Sequence, residues 1–290
     1  MKYKVDNAII TAAGLASRFA PISQETHKAL IKVNGEVIIE RKIRQLQAAG
    51  IKEIIVTVGY MKEKFYYLAE KFGVIIIENN EYATRNNSSS IYVAKDYIKN
   101  SYICAADDYF PENPFNAEEE ESFYSVIYED KATDEWYVET DSEDFITKVT
   151  IGGEKGWYMI GHVFWSESFS KKMLEILESE YHKKETYQKY WETLYIEHLD
   201  VLHMKTKCYD SDEIYEFDTL DELREYDKQY QNNSNSPIME SLALRLNCKE
   251  QDMSKFIPVK NEQGEAIGCT FSCHDECYRY RYDDQSIMKM

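Results

Sequence analysis

Over the first 110 residues, short apolar runs alternate with amphipathic stretches. Asp6–Ala13, Ile51–Val58, Val74–Glu78 and Tyr102–Ala106 have the length and β-branched character that predict buried strands. Between them, Val37–Ala49, Met61–Phe72 and Ser88–Ile98 carry helical spacing. This alternation predicts βαβ crossovers and an α/β fold, a Rossmann-like, mostly parallel mixed sheet flanked by helices. Ligands of such sheets bind outside the carboxyl ends of the strands. Gly14, Gly59, the Asn79–Asn87 loop and Asp107 all fall on that edge.

The second half is more mixed. Phe123–Tyr128, Phe145–Val149, Tyr158–Trp165, Val201–Lys207 and Ile214–Asp218 read as strands. Phe169–Tyr181, Thr186–His198 and Leu220–Gln229 read as helices. They are expected to complete the sheet and add a lid subdomain over its open edge. The polar, turn-rich segment Gln231–Pro237 predicts a linker between a domain over 1–230 and a short appendage over 238–290. That appendage reads as a helix followed by strands.

Composition narrows the partners. Hydrophobic residues make up 43% of the 290, ample for a packed core. No apolar run reaches membrane-spanning length and no signal peptide opens the chain, so a cytoplasmic protein is expected. A net charge of −18 argues against nucleic acid and anionic membranes as partners. An enzyme acting on phosphate esters would therefore need a local solution: a few cations, oriented N–H groups and a carboxylate-held metal. The six cysteines are expected to be reduced thiols.

Candidate chemistry begins at the end of the first strand. Ala12, Ala13 and Gly14 open a loop of small residues that lets phosphates approach backbone N–H groups. Arg18 adds a planar fork for phosphate oxygens and Lys28 a point charge on a flexible stem. Neither a G-x-x-x-x-G-K-[ST] nor a G-x-G-x-x-G motif is present. Asp107 and Asp108 end a strand on the ligand edge, where a carboxylate suits a hard cation such as Mg²⁺. Glu216 and Asp218 alternate on a predicted strand and are expected to share a face. Trp136, Tyr190 and Trp191 lie among acids, a composition that attracts a quaternary ammonium group but equally suits core packing. The tail residues Cys269, Cys273, His274 and Cys277 lack zinc-site spacing and read as a hairpin. His162 and His198 read as structural.

In this order the motifs resemble the bacterial CTP:phosphocholine cytidylyltransferases, within the sugar-phosphate nucleotidyltransferase superfamily, over roughly residues 1–230. The resemblance rests on the Ala12–Pro21 loop with Lys28, Val58-Gly59-Tyr60, Tyr82–Tyr92, Ala106–Tyr109, Asp134-Glu135-Trp136, Tyr190-Trp191 and Tyr215–Asp218. It implies an Mg²⁺-dependent transfer of CMP from CTP to phosphocholine or, alternatively, to a phosphonate such as 2-aminoethylphosphonate. It implies that Ala12, Ala13, Gly14 and Arg18 bind CTP, with Lys28 at its phosphates. Gly59, Asn87, Ser88 and Ser89 would shape the cytosine and ribose pocket. Asp107 and Asp218 would hold Mg²⁺, with Arg18, Lys28 and Asp107 carrying catalysis. Trp136, Tyr190 and Glu216 would hold the acceptor's ammonium group. Ala16 and His27 depart from the family's usual Gly and Pro, which puts fine loop geometry in question. A catalytically silent nucleotide-binding or scaffold protein is the reading from another class; it would need missing metal ligands. The tail resembles the opening of a choline-kinase-like domain but ends before any kinase machinery, so no kinase activity is expected. Packing of this tail on the main domain and a homodimer contact both stay open.

Overall fold

A computed structural model describes residues 2–262 and 264–290. Its contacts group the chain into two compact units. One combines the stretch ending at Gly14 with Ile38–Glu216; the other combines Leu15–Val37 with Phe217–Met290. The division falls elsewhere than at 231–237, and that segment is itself ordered. Asn232 ends a short helix, and Ser234 and Ser236 are buried.

The first unit is built on β1 (Asn7–Ala12), α1 (Ile38–Ala48), β2 (Glu53–Val58), α2 (Tyr67–Phe72), β3 (Ile75–Glu78), α3 (Ser88–Val93) and β4 (Ser101–Ala105). It continues through β5 (Asp108–Tyr109), β6 (Phe123–Glu129), β7 (Thr133–Thr140), β8 (Ile146–Gly153) and β9 (Gly156–Trp165). Then come α4 (Glu167–Tyr181), α5 (Trp191–Glu197), β10 (Lys205–Tyr209) and β11 (Tyr215–Glu216). A nine-stranded mixed sheet runs β8-β7-β9-β4-β1-β2-β3, with β6 paired to β9 and β10. Strands β4, β1, β2 and β3 are mutually parallel, as the βαβ alternation requires, and β9 joins β4 antiparallel. Ile9, Ile55 and Ile103 of the parallel strands pack in one core with Trp165, Met173 and Trp191. Side chains buried on both faces explain why these strands read as continuous apolar runs.

Several expected elements are shorter or absent. Met61–Phe72 resolves into a 3₁₀ turn at Lys62–Lys64 and α2, and Ser88–Ile98 into α3 and a 3₁₀ turn at Lys95–Tyr97. The helix expected over Thr186–His198 starts only at Trp191. Strand β7 has no counterpart in the expectations. Only Tyr137 of its eight residues is buried, so it lacks the apolar alternation that marks a half-buried strand. The strand expected over Ile214–Asp218 ends at Glu216, so strand alternation does not place Asp218 on Glu216's face.

In the second unit, α6 (Leu220–Tyr226) and α7 (Pro237–Leu246) precede an antiparallel sheet. Its strands run in the order β12 (Met253–Lys260), β13 (Ala266–Cys273), β14 (Glu276–Arg281) and β15 (Ile287–Lys289). The Asn34 N–H donates to Asp227 at 2.9 Å, and the Tyr230 hydroxyl to the Lys32 carbonyl at 2.7 Å. Ser236 caps α7 and also donates to Glu25. These bonds, with the Ile238 N–H donating to Glu25 at 3.0 Å, explain why Leu15–Val37 and the stretch from Phe217 onward form one body. The tail cysteines flank a hairpin turned at His274 and Asp275, both at positive φ. All six cysteines are free thiols. No described helix is long and apolar enough to cross a membrane.

Candidate active site

In the first unit, Ala12, Ala13, Gly14, Gly59 and Asp107 lie at or just past the carboxyl ends of the parallel strands. Ala12 closes β1 and is buried with Ala13, whereas Gly14 is exposed. The Ala13 carbonyl accepts from the Tyr60 N–H at 3.1 Å, joining the ends of β1 and β2. Gly59 sits in this junction. A Cβ there would stand 2.7 Å from the Tyr82 Cβ and 2.9 Å from the Ala13 oxygen. Glycine is therefore required by space. Gly59→Ala should cost about 1–3 kcal/mol, read as a thermal midpoint several degrees lower; an unchanged midpoint would contradict this packing.

Asn87, Ser88 and Ser89 begin α3, with Ser88 and Ser89 buried. The Ser89 hydroxyl donates to the Asn86 carbonyl at 2.7 Å and accepts from Asn79 at 2.8 Å. Asn87 ties α3 to α5. Its Nδ2 donates to Glu192 at 2.9 Å and its Oδ1 accepts from the Trp191 N–H at 2.9 Å. Ser89 thus lies within the fold's own network.

Trp136 on β7 and Tyr190 just before α5, 54 residues apart in the chain, meet edge to face. Their ring centroids are 5.8 Å apart at an interplanar angle of 86°. Trp191, by contrast, is core: it stacks on Tyr124 and packs edge-on against Trp165. Beside this stack is Glu192, which accepts from Asn87 and, at 3.4 Å, from the Tyr124 hydroxyl. Burial pushes its carboxyl up to about 7, helped by Asp108 and opposed by those two hydrogen bonds. Glu192 nonetheless keeps partial solvent exposure, so it lies deep yet accessible.

Asp107 is partly exposed, follows β4, and precedes the short β5–β11 ladder that pairs Asp108 with Glu216. Asp107 and Glu216 offer carboxylate oxygens within 4.8 Å of each other. An all-oxygen donor set without thiolate or imidazole fits a hard divalent cation. Asp108 is different. It is 2% exposed and stands 3.7 Å from the Lys42 ammonium, itself 1% exposed. His162 is equally buried, with Ser125 and Tyr209 on its two ring nitrogens; burial holds it well below its ordinary value, as suits a structural histidine.

In the second unit, both expected phosphate-binding cations rest on the expected metal ligand. Arg18 Nη1 is 2.6 Å from Asp218 Oδ2, and Lys28 Nζ is 2.7 Å from Oδ1. Lys28 is 5% exposed at its side chain and Arg18 70%.

Sequence reasoning missed Glu192 and Lys42. Glu192 opens α5, where an acid reads as ordinary pairing with the helix dipole. Lys42 left a stronger trace. It falls on the apolar stripe of α1 with Ile39, Ile43 and Leu46, where a lysine is out of place.

A MobA-like NTP transferase domain matches residues 8–113. The choline-phosphate cytidylyltransferase of Streptococcus pneumoniae is 32% identical over 225 residues, covering 78% of this chain and 98% of that protein. The 2-aminoethylphosphonate cytidylyltransferase of Lancefieldella rimae is 34% identical over 228 residues, covering 77% and 93%. The solved structure of the CTP:phosphocholine cytidylyltransferase from S. pneumoniae superposes with a TM-score of 0.75 over 78% of this chain and 99% of that one. With a nucleotidyltransferase sheet, acids at its carboxyl edge and near-complete coverage of these relatives, the chain belongs to the choline-phosphate cytidylyltransferase family of the nucleotidyltransferases.

Proposed function

We propose that this chain transfers CMP from CTP to the phosphate of phosphocholine, giving CDP-choline and pyrophosphate. The observation that carries the choice of acceptor is the Trp136–Tyr190 edge-to-face pair on a strongly acidic chain. Aromatic faces attract a trimethylammonium group through the ring quadrupole. Glu216 supplies countercharge, and Glu192 adds to it when ionised. Glu216 also lies within 4.8 Å of Asp107, so acceptor charge and metal ligand are neighbours.

A phosphate oxygen of the acceptor attacks the α-phosphorus of CTP and the bond to the pyrophosphate oxygen breaks. The nucleophile is already an anion at neutral pH, so the protein has only to align the groups and neutralise crowded charge. The loop from Ala12 to Gly14 presents N–H groups to the triphosphate, while Arg18 and Lys28 exchange Asp218 for phosphate oxygens. Gly59 and the Asn87–Ser89 segment bound the nucleoside side. Asp107 would hold Mg²⁺, which would supply Lewis-acid neutralisation of the phosphates when bound.

The test is kcat/KM with CTP for phosphocholine and for 2-aminoethylphosphonate, followed by pyrophosphate release. Phosphocholine should be preferred. Trp136→Ala should raise its KM by roughly 10- to 30-fold, as a desolvated cation–π contact of about 2 kcal/mol implies. A preference for the primary amine would instead favour the phosphonate reading, which the relative from L. rimae supports. If neither acceptor accelerates pyrophosphate release, the assignment fails.

The reading also sets a pH dependence. Glu192, with its carboxyl pushed up to about 7, is neutral below that pH and ionised above it. Acceptor KM should therefore rise as pH falls from 8 to 6. The acceptor's own phosphate titrates near pH 6 as well, so the informative comparison is Glu192→Gln, which should lose only the limb near 7. The folded state holds this proton more tightly than the unfolded chain. Glu192 thus favours the fold below its ordinary value of 4.5, and that contribution is lost as pH rises toward about 7.

A further inference from the structure

Helix α1 presents three polar side chains, Arg41, Lys42 and Gln45, to the segment that leaves β4. The Lys42 ammonium donates to the Ala105 carbonyl, stands 3.7 Å from Asp108 Oδ2 and lies 5.5 Å from the centre of the Phe110 ring. Arg41 Nε donates to the Phe110 carbonyl at 3.0 Å, and a terminal nitrogen of Arg41 donates to that of Pro111. Gln45 Nε2 donates to the carbonyls of Phe110 and Glu112, both at 3.0 Å. From the other side, the Ala106 N–H donates to the Thr11 carbonyl at 3.1 Å, and Asp108 pairs with Glu216 in the β5–β11 ladder. Asp107 therefore lies between anchored neighbours.

A buried ammonium is an expensive way to fill space. Desolvating it costs several kcal/mol, and an apolar side chain of similar volume usually serves stability as well or better. Lys42 occupies a position in the apolar stripe that Leu or Met would fill, so what it does there requires its charge and its N–H groups. The two adjacent carboxylates, alike in sequence, are thereby separated. Asp108 is buried as the partner of Lys42, whereas Asp107 keeps its exposure.

We propose that Lys42 is a positioning residue for the transfer reaction: by engaging the Ala105 carbonyl and the Asp108 carboxylate, it fixes the turn that holds Asp107 toward a divalent cation. The proposal rests on Asp107 being a metal ligand. A residue that orients a ligand in this way typically controls metal affinity by 10- to 100-fold.

The experiment uses the full chain and Mn²⁺ alone, with the free ion followed by electron paramagnetic resonance. Amide hydrogen exchange over residues 105–112 is measured without metal. Lys42→Met is expected to weaken Mn²⁺ binding by at least about 10-fold and to speed exchange in that segment. Because Lys42→Met strands Asp108, the double variant Lys42→Met/Asp108→Asn removes both charges at nearly constant volume. It should keep the thermal midpoint while reproducing the weak binding and fast exchange. Wild-type Mn²⁺ affinity in either folded variant would overturn the proposal. So would unfolding of the double variant, which would assign Lys42 to folding alone. Wild-type Mn²⁺ binding by Asp107→Asn would instead refute Asp107 as a ligand, while exchange over 105–112 would still report whether Lys42 clamps the turn.

Discussion

Asp107→Ala should lower kcat by about 10²- to 10³-fold, with circular dichroism and thermal midpoint close to those of the unaltered protein. Asp107 is partly exposed, and its neighbours are anchored by Lys42 and by the β5–β11 ladder. Its removal therefore takes away charge at the reacting phosphates without opening the core. Asp108→Ala should behave in the opposite way. Asp108 is 2% exposed, and deleting it leaves the Lys42 ammonium without its counter-ion. Breaking a buried pair in this manner costs about 3–5 kcal/mol, so the loss should appear first in the melting curve. Steady-state kinetics over a Mg²⁺ titration, beside thermal denaturation of both variants, separates the two roles. A stable, active Asp107→Ala would remove Asp107 from the mechanism.

Lys28→Met is expected to reduce kcat/KM for CTP by about 10²- to 10³-fold, and Arg18→Ala by about 10-fold. The difference follows from exposure. The Lys28 side chain is 5% exposed in its unit and its charge is weakly screened, whereas Arg18 is 70% exposed and surrounded by water. Both cations are held on Asp218, at 2.7 and 2.6 Å. One carboxylate shared by two cations leaves the cluster with a net positive charge. Triphosphate binding has to replace this pairing, so the affinity for CTP is a difference between two ion-paired states and should fall with added salt. An equal or larger effect for Arg18→Ala would show that the exposed fork, not the buried ammonium, bears the phosphate charge.

Much of the fold was legible because its causes are local. Apolar runs of strand length alternating with amphipathic helices placed β1 to β4 and α1 within about two residues, whereas α2 and α3 are about half as long as expected. The same runs also placed Gly14, Gly59 and Asp107 at one end of the sheet. What escaped has a common origin. Strand β7 has a single buried residue and carries no periodic signal, and β11 spans only two of the five residues expected of it. Asp218 lies past the end of its expected strand because pairing with β5 stops at Glu216. The tail reads as an appendage in sequence, yet the Ile238 N–H donates to Glu25, and together with the stretch before it that bonds Asn34 and Lys32 it groups with Leu15–Val37.

The sequence by itself determined the α/β alternation, the small-residue loop with its two cations, and the supply of acids and aromatics for a cationic acceptor. It could not assign the acids. Asp108 is buried against Lys42 while Asp107 stays partly exposed, and the carbonyl that Lys42 also engages lies 63 residues away. Whether Glu192 is an ordinary helix-opening acid or a deep carboxylate near neutrality depends on its burial in the fold, which raises the carboxyl against the lowering hydrogen bond from Asn87, 105 residues earlier. The order of residues fixes local periodicity and the inventory of charges. The protonation and purpose of each charge are decided by burial and by partners that only the tertiary fold brings within a few ångströms.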